Sequence, residues 1–205
     1  MAAPKLDPDT SLVEACQAQA LEGLEGPFRK IYDLYKDRVY NVCYRVTGNA
    51  SDALDASQET FGILFRKIGG FRFQSRFSSW IYRIAINASI DLKRRQGSRR
   101  LASLEAVTGA NDGDGGRFDL EDGSVELPPE VASRRELEAE VQRAIGRLSP
   151  KLRSITVLRY IESLSYDEIS ETLDISLGTV KSRLSRAHAA MDRELTPVLH
   201  KHYLS

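Results

Sequence analysis

The chain has 205 residues, room for one large domain or two small ones, and its 41% hydrophobic and 28% charged content is that of a water-soluble globular protein. No apolar run is long enough to span a bilayer, the N-terminal stretch MAAPKLDPDTSLVEACQAQA has no apolar signal core, and the two cysteines, Cys16 and Cys43, form no CxxC pair. The expectation is a cytoplasmic protein with reduced thiols, no membrane insertion, no disulfide framework and no zinc site.

Net charge is zero, but its distribution is uneven. Residues 1–65 carry net −4, residues 66–100 net +9, residues 101–140 net −8 and residues 141–205 net +3. Two basic blocks flanking an acidic one suggest two polyanion-facing modules joined by a segment that repels polyanions.

A short helix is predicted at residues 10–22. Residues 27–48 form the next, with Pro27 in its first turn, Gly48 as its stop, and Ile31, Leu34, Tyr35, Val39, Val42 and Val46 at helical spacing. Ser51 reads as the N-cap of a following helix that reaches about Ile68 and buries Leu54, Phe61, Leu64, Phe65 and Ile68, with Gly69-Gly70 ending it. An aromatic stretch, FRFQSRFSSW, leads into a third helix from Ser79 to about Arg95. Trp80, Ile84 and Ala88 share one face of it, which favours a packing role for Trp80.

Residues 97–130 are rich in Gly and Asp and poor in apolar side chains, the composition of a flexible linker. Pro128-Pro129 mark its end, and helical pattern resumes at Val131. There are no internal repeats.

In residues 164–190, Ser165 and Glu168 have the spacing of a capping box, and Asp174-Ile175-Ser176 make a tight turn. Ser176 caps the next helix, on which Val180, Leu184, Ala187 and Met191 fall on one side. Ser182, Ser185 and Arg186 fall opposite, flanked by Lys181 and Arg183. One face packs, and the other offers donors and cations. This is helix-turn-helix logic, in which the second helix enters the major groove and Arg and Ser read base edges. An amphipathic hairpin with a solvated basic face has the same pattern.

The segment from Leu148 to Glu194, and GTVKSRLSRA within it, resembles the promoter-binding region 4 of the extracytoplasmic-function sigma factors. The resemblance implies contact with the −35 promoter element by Thr179, Lys181, Ser182, Arg183, Ser185, Arg186 and His188. Asp174 stands where many such turns have Gly, and His188 where the family often has Arg. DALDASQETF at residues 52–61 resembles the same family's polymerase-binding helix, which implies core RNA polymerase docking by Asp52, Asp55, Gln58, Glu59 and Phe61. Asp52, Asp55 and Glu59 are spaced i, i+3, i+7 along one side of a helix. A solvated acidic face has the same spacing.

Residues 71–95 interleave aromatic and basic side chains. Opening DNA requires capture of unstacked bases on aromatic faces, for which Phe71, Phe73, Phe77, Trp80 and Tyr82 are candidates. The stretch resembles regions 2.3 and 2.4 of the family, which implies −10 element contact by Phe71, Arg76, Asn87, Asp91, Lys93, Arg94 and Arg95, with Arg99 and Arg100 on phosphates as well. A carboxylate at Asp91 would restrict the base edges tolerated, since it can only accept hydrogen bonds unless protonated.

The reading is an all-α chain of two small helical domains. It comprises an N-terminal extension (1–24), a region 2-like domain (25–97), a flexible acidic linker (98–130), a region 4-like helix-turn-helix domain (131–194) and a C-terminal tail (195–205). By resemblance it is a sigma factor that binds core RNA polymerase and promoter DNA, assists melting, and is controlled by an anti-sigma factor. The linker would pass near the RNA path, either imitating nucleic acid or serving only as a spacer. No Walker loop, GxGxxG, catalytic Ser/Cys-His set or metal-ligand spacing occurs. No enzymatic activity, cofactor, metal or small-molecule substrate is therefore expected. The alternative is a polymerase-independent helix-turn-helix regulator, which would need to dimerise on two half-sites.

Overall fold

The computed structural model describes the backbone of residues 8–18, 26–107 and 129–203, and the side chains of residues 8–18, 26–98 and 135–200. The described residues form α1 (Thr10–Ala18), α2 (Pro27–Thr47), α3 (Ala50–Lys67), a 3-10 turn (Ile68–Gly70), α4 (Phe77–Val107), α5 (Pro129–Arg147), α6 (Pro150–Tyr160), α7 (Tyr166–Leu173) and α8 (Leu177–Tyr203), with no strand among them. α4 runs twelve residues past Arg95, and α5 opens at Pro129. Helix thus covers both ends of the predicted linker, and 108–128 lie outside the described residues.

α2 is the central helix. Pro27 sits in its first turn, and Gly48 ends it in the left-handed region at φ 90°, its N–H bonded to the Tyr44 carbonyl. Its buried stripe is Ile31, Tyr35, Val39, Val42, Cys43 and Val46, which α3 and α4 cover from either side. Each such aliphatic side chain removed from water stabilises the fold by roughly 1.5–3 kcal/mol. Leu34, predicted to join the stripe, is 54% exposed. It lies one position before Tyr35, about 100° off the buried face.

The N-cap of α3 is Asn49, not Ser51. The Asn49 side chain accepts from the Asp52 N–H at 2.8 Å. The face that α3 buries carries small residues, Ala53, Ala56, Ser57 and Thr60, with Phe61 and Leu64 beyond them. Leu54, predicted as core, is 52% exposed. Small side chains let α3 lie close to its neighbours, so the larger leucine stands outside.

The same rotation turns Asp52 inward. Its carboxylate accepts from Asn49 Nδ2 (2.7 Å) and Gln96 Nε2 (2.7 Å), and Lys93 Nζ lies 3.5 Å away. Asp52 therefore ties the first turn of α3 to α4. Burial opposes its ionisation, but these donors and the Lys93 charge outweigh burial and hold the carboxyl below its ordinary value.

The second half packs α6, α7 and α8 around Ile155, Leu158, Ile169, Val180 and Leu184. It also rests on the first. Arg153 Nη1 donates to the Val46 carbonyl at the end of α2 (2.6 Å), and Nη2 donates to the carbonyls of Gly146 and Leu148 at the end of α5. One guanidinium thus satisfies orphan carbonyls of two helix ends. Arg45 adds a bond to the buried Gln142 of α5 (2.6 Å).

Replacing Arg153 with Met leaves those carbonyls without a donor and should cost about 2–3 kcal/mol in urea unfolding. Asp52→Asn should lower stability at pH 7. Because the folded carboxyl titrates below its unfolded value, the Asp52 contribution is present above about pH 4 and lost as pH falls through the folded pKa. The gap between the two proteins in urea midpoint should therefore close on acidification and stay constant from pH 6 to 8.

Candidate nucleic-acid interface

α7, the turn at Asp174 and α8 form the helix-turn-helix. The capping box is complete: Glu168 N–H donates to Ser165 Oγ (3.2 Å), and Ser165 N–H donates to Glu168 Oε2 (2.8 Å). Asp174 holds the left-handed conformation, φ 53° and ψ 54°, which Asp tolerates better than most residues. Ser170, small enough for the crossing, donates its hydroxyl to the Ile175 carbonyl (2.5 Å). Ser176 caps α8 by accepting from Thr179 N–H (3.2 Å), and its hydroxyl pairs with that of Thr179 (2.9 Å).

On α8 the packing and outward faces separate as the spacing predicts. Val180, Leu184 and Ala187 are buried, whereas Lys181, Ser182, Ser185, Arg186 and His188 are exposed and Arg183 is half-buried. Ser182 Oγ donates back to the Thr179 carbonyl (3.1 Å), which leaves its oxygen as an outward acceptor. His188 pairs with the Tyr160 hydroxyl at the end of α6, so its ring is steered by a neighbour.

The first half presents two further surfaces. On α3, Asp55, Gln58 and Glu59 are exposed beside Leu54, and Arg66 lies 3.7 Å from Glu59. Asp52 and Phe61 are buried, so the predicted row of three carboxylates is a pair, Asp55 and Glu59, next to an exposed leucine. Between α3 and α4 runs a groove of about 450 Å³ lined by Glu59, Lys67, Asn87, Asp91, Arg94 and Arg95, with Asp91 paired to Arg94 at 3.1 Å. Lys93 faces Asp52 and stands apart from this groove.

The segment between the 3-10 turn and α4 gathers aromatics. Phe71 is buried, with its ring 4.9 Å from Trp80, 5.1 Å from Phe73 and 5.5 Å from Phe77. Phe77 and Tyr82 are core residues, which removes them from the base-stacking candidates. Phe73 is partly exposed and sits at φ 54°, a conformation that costs a bulky residue about 1–3 kcal/mol. Arg72, Gln74 and Ser75 join Gly70, Phe71 and Trp80 around a cavity of about 430 Å³. Of these, Arg72, Gln74 and Ser75 were not singled out by sequence, although they stand inside FRFQSRF.

This cavity lies at the seam with the second half. Arg76 pairs with Glu168 at 2.5 Å, and Arg83 donates through Nε to the Thr172 carbonyl (2.7 Å) and through Nη2 to the Glu171 carbonyl. Glu171 and Asp174 complete the cavity wall. Arg83 carries no local motif. Its partners are 88 and 89 residues away, beyond any sequence window.

The chain matches two family models, Sigma-70 region 2 over residues 31–99 and Sigma-70 region 4 over residues 138–191. It is 36% identical to the ECF RNA polymerase sigma factor SigW of Bacillus subtilis, over 86% of this chain and 93% of that one. It is 33% identical to the RNA polymerase sigma-H factor of Pseudomonas aeruginosa, over 92% of this chain and 98% of that one. Among solved structures it shares its fold with CnrH in complex with the cytosolic domain of CnrY (TM-score 0.65, 21% identity, 92% of this chain and 97% of that one). It also shares it with the sigma factor RpoE bound to the anti-sigma factor NepR of Bartonella quintana (TM-score 0.61, 21% identity, 82% and 96%). With both modules present in order and full-length relatives above 30% identity, the chain belongs to the extracytoplasmic-function RNA polymerase sigma factors.

Proposed function

We propose that this sigma factor docks on core RNA polymerase through Asp55, Gln58 and Glu59, with the exposed Leu54 as an apolar contact beside them. α8 is placed in the −35 major groove, and −10 bases are captured along the loop of residues 71–76 and the Asn87–Asp91 face of α4. It acts by binding and positioning, with no chemistry of its own, in the cytoplasm where RNA polymerase works. The observation that carries this reading is the joint exposure of an acidic face on α3, of Phe73 in the loop before α4 and of a basic face on α8, on one chain of sigma-factor sequence.

Each surface suits its partner. Carboxylates beside an exposed leucine fit a helical partner with basic flanks around an apolar stripe. The exposed Lys181, Ser182, Ser185 and Arg186 match guanine edges and phosphates. Phe73, held in a strained and partly exposed conformation, suits stacking of an unpaired base. Arg76 is paired with Glu168 through Nη1, so a phosphate reaching it would compete with that carboxylate. The titles of both fold neighbours name a second chain, one of them called an anti-sigma factor, which supports an anti-sigma partner for this chain. The domain limits 25–97 and 131–194 follow the same reading, with 98–130 between them.

Charge reversal of the exposed pair, Asp55→Arg with Glu59→Arg, should reduce capture of core RNA polymerase at least tenfold while leaving the thermal midpoint unchanged. Unimpaired capture would remove α3 as the docking surface. Arg186→Ala should cost about 1–3 kcal/mol of discrimination between a matched and a mutated −35 element in a holoenzyme mobility-shift assay. A loss equal on both elements would reassign Arg186 to phosphate contact.

A further inference from the structure

We propose that α1 is a brace for the base-capturing loop and that Gln17 is the residue that positions it. The proposal rests on the reading of residues 71–76 as the −10 loop.

α1 lies outside both matched family segments, yet it is seated firmly. Val13 is fully buried, Leu12 and Cys16 pack against the core, and the Tyr35 hydroxyl from α2 donates to Asp9 just before the helix begins. This seating presents Gln17 to the 3-10 turn. Gln17 Nε2 donates to the Ile68 carbonyl at 3.0 Å and to the Phe71 carbonyl at 2.9 Å. Both amide protons are used. The Ile68 carbonyl also accepts from Phe71 N–H at 3.1 Å, filling its second lone pair.

The two gripped carbonyls bracket Gly69 and Gly70. A Cβ at either glycine would meet nothing within 4 Å, and neither has a positive φ. No crowding and no left-handed turn demands glycine here. The stretch is simply the loosest possible backbone, since glycine loses more freedom on ordering than any other residue. Gly69 and Gly70 have no side chains to pin the turn. The pin comes from behind, through Gln17, and its output is the direction in which Phe71 and the following Arg72–Ser75 leave the turn. Phe71 in turn carries the rings of Phe73 and Trp80 against it.

Gln17 touches neither DNA nor polymerase in this account. It acts through the loop, so its loss should affect promoter opening and not assembly. Trp80 is the single tryptophan of the chain and sits against Phe71, so its fluorescence reports loop order without reference to any promoter.

The test compares wild type, Gln17→Ala, Gln17→Glu and the double variant Gln17→Ala with Gly69→Ala. Acrylamide quenching of Trp80 is measured on the full chain. Core RNA polymerase affinity and the rate of permanganate-detected opening are measured on the holoenzyme, with a duplex selected from a randomised library by the wild-type holoenzyme. Gln17→Ala should raise quenching and slow opening about tenfold, as expected for two hydrogen bonds, with core affinity unchanged and the thermal midpoint lower by only a few degrees. Gln17→Glu should be worse, because it sets a carboxylate against two carbonyl oxygens. Gly69→Ala, which removes unfolded freedom at an open position, should restore most of both readouts.

Quenching and opening at wild-type values in Gln17→Ala would overturn the proposal. So would a loosened loop with unchanged opening, which would leave α1 a purely structural brace, or an equal loss of core affinity and stability without rescue. A wild-type holoenzyme that opens no duplex would instead overturn the −10 reading itself, and the proposal with it, while the Trp80 measurement would still report whether Gln17 orders the loop.

Discussion

The burial of one stripe of α2 is the constraint on which the rest of the molecule depends. Ile31, Tyr35, Val39, Val42 and Val46 occupy one face over the full length of the helix, and α1, α3 and α4 are all placed by covering it. Once α3 and α4 are fixed, the groove between them and the loop before α4 have fixed walls. The carbonyl end of the same helix is then capped from the second half by Arg153. The functional surfaces are therefore the outward sides of elements whose inward sides leave them little freedom, which is the arrangement that binding at defined distances on a polymerase requires.

Electrostatics is organised around that scaffold at two depths. Asp52, Arg153 and Gln142 are drawn inward and serve the fold, each answered by hydrogen-bond partners on another helix. Asp55, Glu59, Lys181 and Arg186 stay outside, where water keeps their charge inexpensive until a partner replaces it. Between these extremes lies the seam at Arg76 and Arg83. There, cations near the aromatic loop are satisfied by a carboxylate and by carbonyls of α7. Groups suited to phosphate oxygens are thus engaged by oxygens of the chain itself.

Most of the fold was legible in the sequence because its signals are local. Pro27, Gly48, the Ser165–Glu168 box and the Ser176 cap are each resolved within four residues of the group they satisfy, and all stand in the structure as read. The all-helical architecture and the split faces of α8 follow from periodicity alone. The misreadings are of two kinds. Leu34 has helical spacing on α2 but stands one position off its buried face, whereas Leu54, apolar enough to read as core, is left outside because α3 buries alanine, serine and threonine. Asp52 was assigned to the docking face by its spacing to Asp55 and Glu59, but that spacing does not reveal that Gln96, 44 residues away, would claim it. Gln17 and Arg83 gave no signal, because their partners lie 51 or more residues distant and are backbone carbonyls, which any residue supplies. The stretch 108–128, read as a flexible acidic linker, lies outside the described residues.

As a sigma factor, this chain directs RNA polymerase to promoters and does not act on DNA as a regulator by itself. Runoff transcription on a selected duplex, with core polymerase and the chain each omitted in turn, tests it most directly. A discrete transcript should form only when both are present, together with footprints at −35 and −10 that need the polymerase. Sequence-specific protection by the chain alone, unchanged by core polymerase and without a transcript, would contradict it and identify an operator-binding regulator.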